Sequence, residues 1–202
     1  QEGLDEETKK KYLDIAYRKA CHLEQLTNEL FGFVKLEHRE MTLSMARLDI
    51  VQLMEQLMDE SYPAFERNGL TARFFCKEQS ILMTADGNLL ARMFDNLLNN
   101  AVKYGKDGKL IQVEMERKEN TVVARVINYG YVIPANELGN LFRKFYRVEQ
   151  SRSQDTGGTG LGLAIVDQIA QLHGGGVTVR SDLEGTVFEV TLPLGPKMED
   201  KG

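Results

Sequence analysis

The sequence predicts an α+β protein, a two-layer α/β sandwich preceded by one long amphipathic helix. Residues 5–37 repeat apolar side chains at helical steps, while residues 109–128 and 176–192 alternate as paired strands around short polar turns. Between the strand pairs lie further segments of helical periodicity. Strands gathered into hairpins with helices between them argue for an antiparallel or mixed sheet covered on one face.

The first helix carries Tyr12, Ala16, Leu23, Leu26, Leu30 and Phe33 with charged residues between them, a heptad-like seam. Such a stripe seeks another helix, and it is expected to be an interaction surface. Residues 38–47 form a polar connector, a natural hinge. A short strand is expected from Ala46, a helix over about 49–67, and a strand pair over 71–76 and 80–85. The next helix starts near Asp86. Its residues Leu89, Leu90, Met93, Phe94, Leu97, Leu98 and Ala101 recur at three- and four-residue steps and make one buried stripe. A hairpin follows, 109–117 against 121–128 around Lys118-Glu119-Asn120. An apolar-periodic helix then ends at His173, where a cation suits the dipole and Gly174 to Gly176 cap the end. The last hairpin, 176–181 against 186–192, flanks Asp182-Leu183-Glu184-Gly185.

Composition narrows the function classes. A chain of 202 residues with 42% apolar and 27% charged residues is ordinary for a globular protein with one sizeable core. Its net charge of −5 argues against nucleic acid as a partner, since that needs a concentrated cationic surface. Cys21 and Cys76 stand in patterned segments with no partner motif and read as buried, reduced thiols of a cytoplasmic protein. No signal peptide is expected, and no apolar run in the sequence reaches bilayer length.

Two stretches carry chemistry. In Asn96-Leu97-Leu98-Asn99-Asn100-Ala101-Val102-Lys103-Tyr104, the residues Asn96, Asn100 and Lys103 fall on a face separate from the apolar stripe, stacked over about two turns. Asparagine competes with the helix backbone for hydrogen bonds, so two of them beside an ammonium suggest an oxygen-rich ligand carrying a divalent cation. About sixty residues later, Gly157-Gly158-Thr159-Gly160-Leu161-Gly162-Leu163-Ala164-Ile165 runs into a helix. Glycines at a helix mouth let backbone amides approach an anion, which describes a phosphate cradle; a flexible tether or a tight packing turn is equally compatible with that loop alone.

Taken together the stretches resemble sensor histidine kinases. Asn96 to Tyr104 looks like their N box and Gly157 to Ile165 like their second glycine box, where the ATP lid joins its helix. Between them Leu141-Phe142-Arg143-Lys144-Phe145-Tyr146-Arg147 resembles the F box. Val126-Ile127-Asn128-Tyr129-Gly130-Tyr131-Val132-Ile133-Pro134 resembles the first glycine box in altered form, and Glu184-Gly185-Thr186-Val187-Phe188 sits where the last one belongs. Order and spacing agree across roughly residues 45–195.

The resemblance implies the Bergerat ATP-binding fold, with ATP and Mg2+ as ligands. It divides the chain into residues 1–37, the second helix of a dimerisation and histidine-phosphotransfer hairpin whose first helix is missing; the connector 38–47; the catalytic domain 48–195; and a tail, 196–202. Asn100 is the expected metal ligand, with Asn96 holding a metal-bound water or the phosphates and Lys103 and Tyr104 neutralising and hydrogen-bonding the phosphate chain. Asn96, Lys103 and Arg147 are the expected catalytic residues, Arg147 reaching the γ-phosphate. Gly158, Gly160, Leu161, Gly162 and Leu163 would cradle phosphate, and Asn128, Gly130 and Thr186 would meet adenine. Phe142 and Phe145 are expected to anchor the base of a lid formed by 148–156. Asp95 points about a hundred degrees away around the helix and is not expected to act as a base.

The three histidines do not match the family's phosphoacceptor context: His22 reads as a helix-surface or seam residue, His38 stands at the connector, and His173 caps a helix. The implied reaction is transfer of the γ-phosphoryl group to a histidine on a helix outside this chain, for relay to a response regulator. The implied full-length protein is a homodimer with this domain in the cytoplasm and an anchor in the bacterial membrane. Most family members have aspartate at the place of Asn128 and a second glycine at the place of Val132, so weaker nucleotide binding is expected. Active sensor kinases of the vancomycin-resistance type have a comparably relaxed box. A pseudokinase or scaffold module, and a Bergerat-fold ATPase or serine kinase, are the alternatives; Asn96, standing where the related ATPases place a water-activating glutamate, disfavours the last.

Overall fold

A computed structural model describes residues 5–37, 42–148 and 158–195. The expected lid, 148–156, lies outside the described residues apart from Val148, as do Gly157, His38, residues 38–41 of the connector and the tail 196–202.

The chain opens with α1, Glu6–Glu37. A short strand β1, Ala46–Asp49, leads into α2, Ile50–Arg67, whose N-cap is Asp49: its carboxylate accepts from Val51 N at 3.0 Å and from Ile81 N at 3.1 Å. After β2, Thr71–Cys76, and β3, Leu82–Ala85, comes α3, Gly87–Tyr104. The hairpin β4, Leu110–Lys118, and β5, Thr121–Asn128, precedes a short α4, Ala135–Leu138; α5, Gly162–Leu172, and the hairpin β6, Gly176–Asp182, and β7, Gly185–Pro193, complete the order.

Five strands form one mixed sheet in the order β2-β4-β5-β7-β6, parallel only between β2 and β4. The expected pairing of 71–76 with 80–85 is corrected. β3 pairs instead with β1 in a separate two-stranded sheet, Ala46 opposite Ala85 and Asp49 opposite Leu82, while β2 joins the main sheet beside β4. Asp49 explains the choice: by capping α2 and holding Ile81 N it fixes β1 against the start of β3.

Helices α2, α3 and α5 cover one sheet face. The stripe predicted for α3 is the buried set, with Leu90, Met93, Phe94 and Leu97 fully enclosed beside Phe65, Ile111, Ile165 and Phe188. Each such side chain contributes about 1.5–3 kcal/mol of transfer free energy. The other sheet face carries Arg125 of β5, whose Nε donates to Glu189 of β7 at 2.6 Å and whose Nη1 lies 3.8 Å from both Glu114 and Glu116 of β4.

One junction fixes α3 against α5. The Asp86 carboxylate caps α3 through Leu89 N at 3.1 Å and accepts Ser44 N at 2.9 Å, while Asp86 N donates to Nε2 of buried His173 at 3.1 Å. The ring hydrogen therefore sits on Nδ1, which faces the Ile169 carbonyl at 2.9 Å. His173 acts as a hydrogen-bond relay between two helix ends, and the expectation of a cation at the dipole is corrected. With the start of α3 tied to the end of α5, the end of α3 and the start of α5 come together at the opposite pole.

Helix α1 is expected to present an apolar seam, and it divides in two. Tyr12, Leu13, Tyr17 and Leu23 are exposed, whereas Phe33 and Leu36 are buried on the domain. Gly32 sits so close to Arg92 of α3 that a Cβ there would lie 2.3 Å from the guanidinium. The cysteine reading is also corrected: Cys21 is exposed on α1 and Cys76 half-buried on β2, both as free thiols. Burial raises the Cys76 thiol pKa, which keeps it inert at neutral pH. No helix among the described residues is long and apolar enough to cross a membrane.

Candidate active site

The pole where α3 ends and α5 begins holds a cavity of about 490 Å³. Asn96, Asn99, Asn100, Lys103 and Tyr104 line it from α3, Gly162 and Leu163 from the first turn of α5, and Asn128 and Thr186 from the ends of β5 and β7. Arg147, Gly158 and Gly160 complete the predicted residues on its wall. Gly130 and Leu161 do not line it. Leu161 is fully buried as the N-cap of α5, and Gly130 has a φ of +126°, a conformation open to glycine.

On α3, the Asn96 amide nitrogen donates to the Arg92 carbonyl at 2.8 Å, which leaves Oδ1 as the group presented to its surroundings. A Cβ at residue 162 would lie 3.0 Å from that oxygen, so Gly162 is what lets α5 start against α3. Lys103 Nζ rests 5.0 Å from the centroid of the Tyr104 ring, which orients the ammonium within the cavity. Asp95 is absent from the wall. Burial, with Glu60 of α2 adding to it, raises its carboxyl pKa, so it belongs to the α2–α3 contact.

At the sheet end, Asn128 and Thr186 face one another across the β5–β7 ladder and are 3% and 2% exposed. Ile133 N donates to Ser181 Oγ at 2.9 Å, and Ser181 Oγ lies 2.7 Å from Thr186 Oγ1. The loop after β5 is thus tied to the hydroxyl that lines the site. No described residue forms a hydrogen bond to the Asn128 side chain, whose amide opens on the cavity. Gly105 makes this packing possible, since a Cβ there would lie 3.2 Å from the Asn128 Cβ and 2.5 Å from the Ala101 carbonyl. Val132 does not take a left-handed backbone conformation, and the cavity is lined by its neighbours Tyr131 and Ile133 rather than by Val132 itself.

The opposite end is built from the glycine loop. Thr159 Oγ1 accepts Leu161 N at 3.0 Å, holding the turn that leads into α5, and donates to Glu29 of α1. Arg147 Nη1 donates to the Gly158 carbonyl at 3.3 Å. Phe145 N donates to the Gly160 carbonyl at 3.0 Å. Phe142 is half-buried, edge-on to Phe188 at 6.5 Å, as an anchor should be. Phe145 corrects the expectation: it is 61% exposed, with a φ of +60°. Its backbone lies so close to Gly160 that a Cβ at residue 160 would fall 2.7 Å from the Phe145 carbonyl carbon.

Sequence reasoning missed Glu29, Lys106, Asp107 and Thr159 on the cavity wall. Thr159 stands inside the glycine-rich motif and had a signal, as a hydroxyl residue three before the helix start at Gly162. Glu29 had none, because its partner lies 130 residues away.

Among known proteins, the profile of the family described as histidine kinase-, DNA gyrase B-, and HSP90-like ATPase matches residues 85–196, more than half of the chain. The chain belongs to this family. Sensor protein VanS of Enterococcus faecium is 37% identical over 193 residues, covering 96% of this chain and 50% of VanS. Full-length ShkA, solved in complex with AMPPNP, superposes with a TM-score of 0.81 at 25% identity over 96% of this chain and 40% of ShkA. ThkA, solved in complex with the response regulator TrrA, shares the fold with a TM-score of 0.76 at 21% identity, covering 98% of this chain and 55% of ThkA. The chain spans about half the length of VanS. Within the family it carries the catalytic ATP-binding domain of the sensor-kinase type.

Proposed function

We propose that the cavity binds ATP with Mg2+ and that the domain transfers the γ-phosphoryl group to a histidine imidazole on a helix hairpin of which α1 is the second helix. One observation carries this reading. Asn96, Asn100 and Lys103 share one wall of a single cavity with the start of α5 and Arg147, while a buried amide and hydroxyl, Asn128 and Thr186, stand at its sheet end.

Asn128 and Thr186 take the base, Lys103 and Arg147 compensate phosphate charge, and the amides at the start of α5 receive phosphate oxygens. The donor set suits magnesium. Among the described residues no group of three His, Cys, Asp or Glu converges on a metal, and amide oxygens with phosphate oxygens and waters make an acceptable shell for Mg2+. Asn100 would ligate the ion and Asn96 Oδ1 would accept from a water of its shell. When bound, magnesium supplies charge neutralisation at the β- and γ-phosphates.

In the transfer, an imidazole nitrogen attacks the γ-phosphorus, the bond to the β,γ-bridging oxygen breaks, and ADP leaves with that electron pair. The domain contributes position and electrostatics. An amide at residue 96 cannot activate water, so phosphoryl passes to the imidazole in preference to solvent. The response regulator, dimerisation through α1 and a membrane anchor in the whole protein follow as parts of the same proposal, supported by the kinship with VanS and the ThkA complex.

Mixing the chain with radiolabelled ATP and a separately made hairpin bearing the acceptor histidine tests the transfer. Acid-labile phosphate on the hairpin, lost with Asn100→Ala, is expected. Free phosphate as the main product would favour an ATPase instead, and no turnover a pseudokinase.

A further inference from the structure

Of the four asparagines that line the cavity, Asn96 and Asn128 differ in one respect. Asn96 is pinned, because its amide nitrogen is committed to the Arg92 carbonyl at 2.8 Å. Asn128 is 3% exposed, lines the cavity, and has neither end of its amide held by a described residue. Its Cβ is packed beside Gly105, so the side chain is fixed in place, but rotation about the last torsion exchanges oxygen and nitrogen at little cost.

Resting on the nucleotide reading of the cavity, we infer that Asn128 makes the site accept guanine as well as adenine nucleotides. Adenine presents an N6 donor beside the N1 acceptor, and guanine an O6 acceptor beside the N1–H donor. A carboxylate offers acceptors alone: it receives the adenine amino group and repels guanine O6. A carboxamide holds one donor and one acceptor side by side. In one orientation its oxygen receives N6–H and its nitrogen donates to N1; turned over, its nitrogen donates to O6 and its oxygen receives N1–H. Selectivity is a difference between affinities, and an unpinned amide removes the repulsion that creates it. The neighbouring groups do not restore it. Thr186 Oγ1 has acceptor capacity beyond its contact with Ser181, and the Asp107 carboxylate, which also lines the cavity, is an acceptor for the guanine N2 amino group.

Calorimetric titration of the 202-residue chain with the β,γ-imido analogues of ATP and GTP, each with Mg2+, decides the matter. Dissociation constants within about tenfold of each other are expected for the wild type. Asn128→Asp should tighten the adenine analogue several-fold and weaken the guanine analogue by about tenfold or more, because a charged acceptor then faces O6. Wild-type binding of the adenine analogue with the guanine analogue weaker by more than about a hundredfold would overturn this inference and leave the nucleotide site standing. Binding of neither analogue would overturn the site and the inference together.

Discussion

Asn96, Asn100 and Lys103 face one cavity because they are four and three residues apart on a helix whose buried stripe is apolar. Asp95, one residue before Asn96, shows how finely that spacing sorts roles. It turns toward α2, where burial and Glu60 raise its pKa. The folded chain holds that proton more tightly than the unfolded chain, so stability falls as pH rises from the ordinary aspartate range through the raised value. Asp95→Asn removes the ionisation. It should melt above the wild type at neutral pH and match it in acid below the ordinary range, as followed by thermal denaturation; a variant that melts lower at neutral pH would show Asp95 stabilising as a carboxylate. The Asn96–Asn100–Lys103 face was legible in the sequence because helix period alone defines it. The place of Asn128 was expected from the family resemblance alone, because the opening of its amide onto the cavity depends on Gly105 and on strand register.

Helices α3 and α5 run against each other with both poles specified. At one, Asp86 and His173 tie the start of α3 to the end of α5; at the other, Gly162 abuts Asn96. Removing the imidazole by His173→Ala leaves Asp86 N and the Ile169 carbonyl without their ring partner in a buried place, a loss of about 1–3 kcal/mol. Urea denaturation should read this as a lower midpoint, while an unchanged midpoint would mean the relay contributes nothing. The existence of these helices was readable from apolar steps, whereas the capping by Asp49 and Asp86 emerged only with the fold. Pairing was harder. Alternation marks a strand but not its neighbour, so β2 and β3, adjacent in sequence, were read as partners although one lies in the main sheet and the other beside β1.

At the scale of the molecule, the sandwich carries the cavity and α1 touches it. The end of α1 is seated by Phe33 and Leu36, and Glu29 meets Thr159 in the glycine loop, while the earlier turns stay exposed. Those contacts place the helix proposed to belong to the phosphoacceptor hairpin directly beside the loop proposed to hold phosphate. Family membership follows from the profile match over 85–196, which agrees with the order of motifs along the sequence. Contacts spanning the chain, such as that from Glu29, leave no local pattern and needed the fold to appear.

The central claim is that one cavity binds nucleotide together with a divalent cation held by Asn100. Titration of the β,γ-imido analogue of ATP into the wild-type chain and into Asn100→Ala, each with and without Mg2+, tests it most directly. Saturable binding that magnesium strengthens about tenfold or more in the wild type, and that it no longer strengthens in Asn100→Ala, is the predicted result. Binding of equal strength with and without magnesium, or no binding at millimolar analogue, would contradict the account.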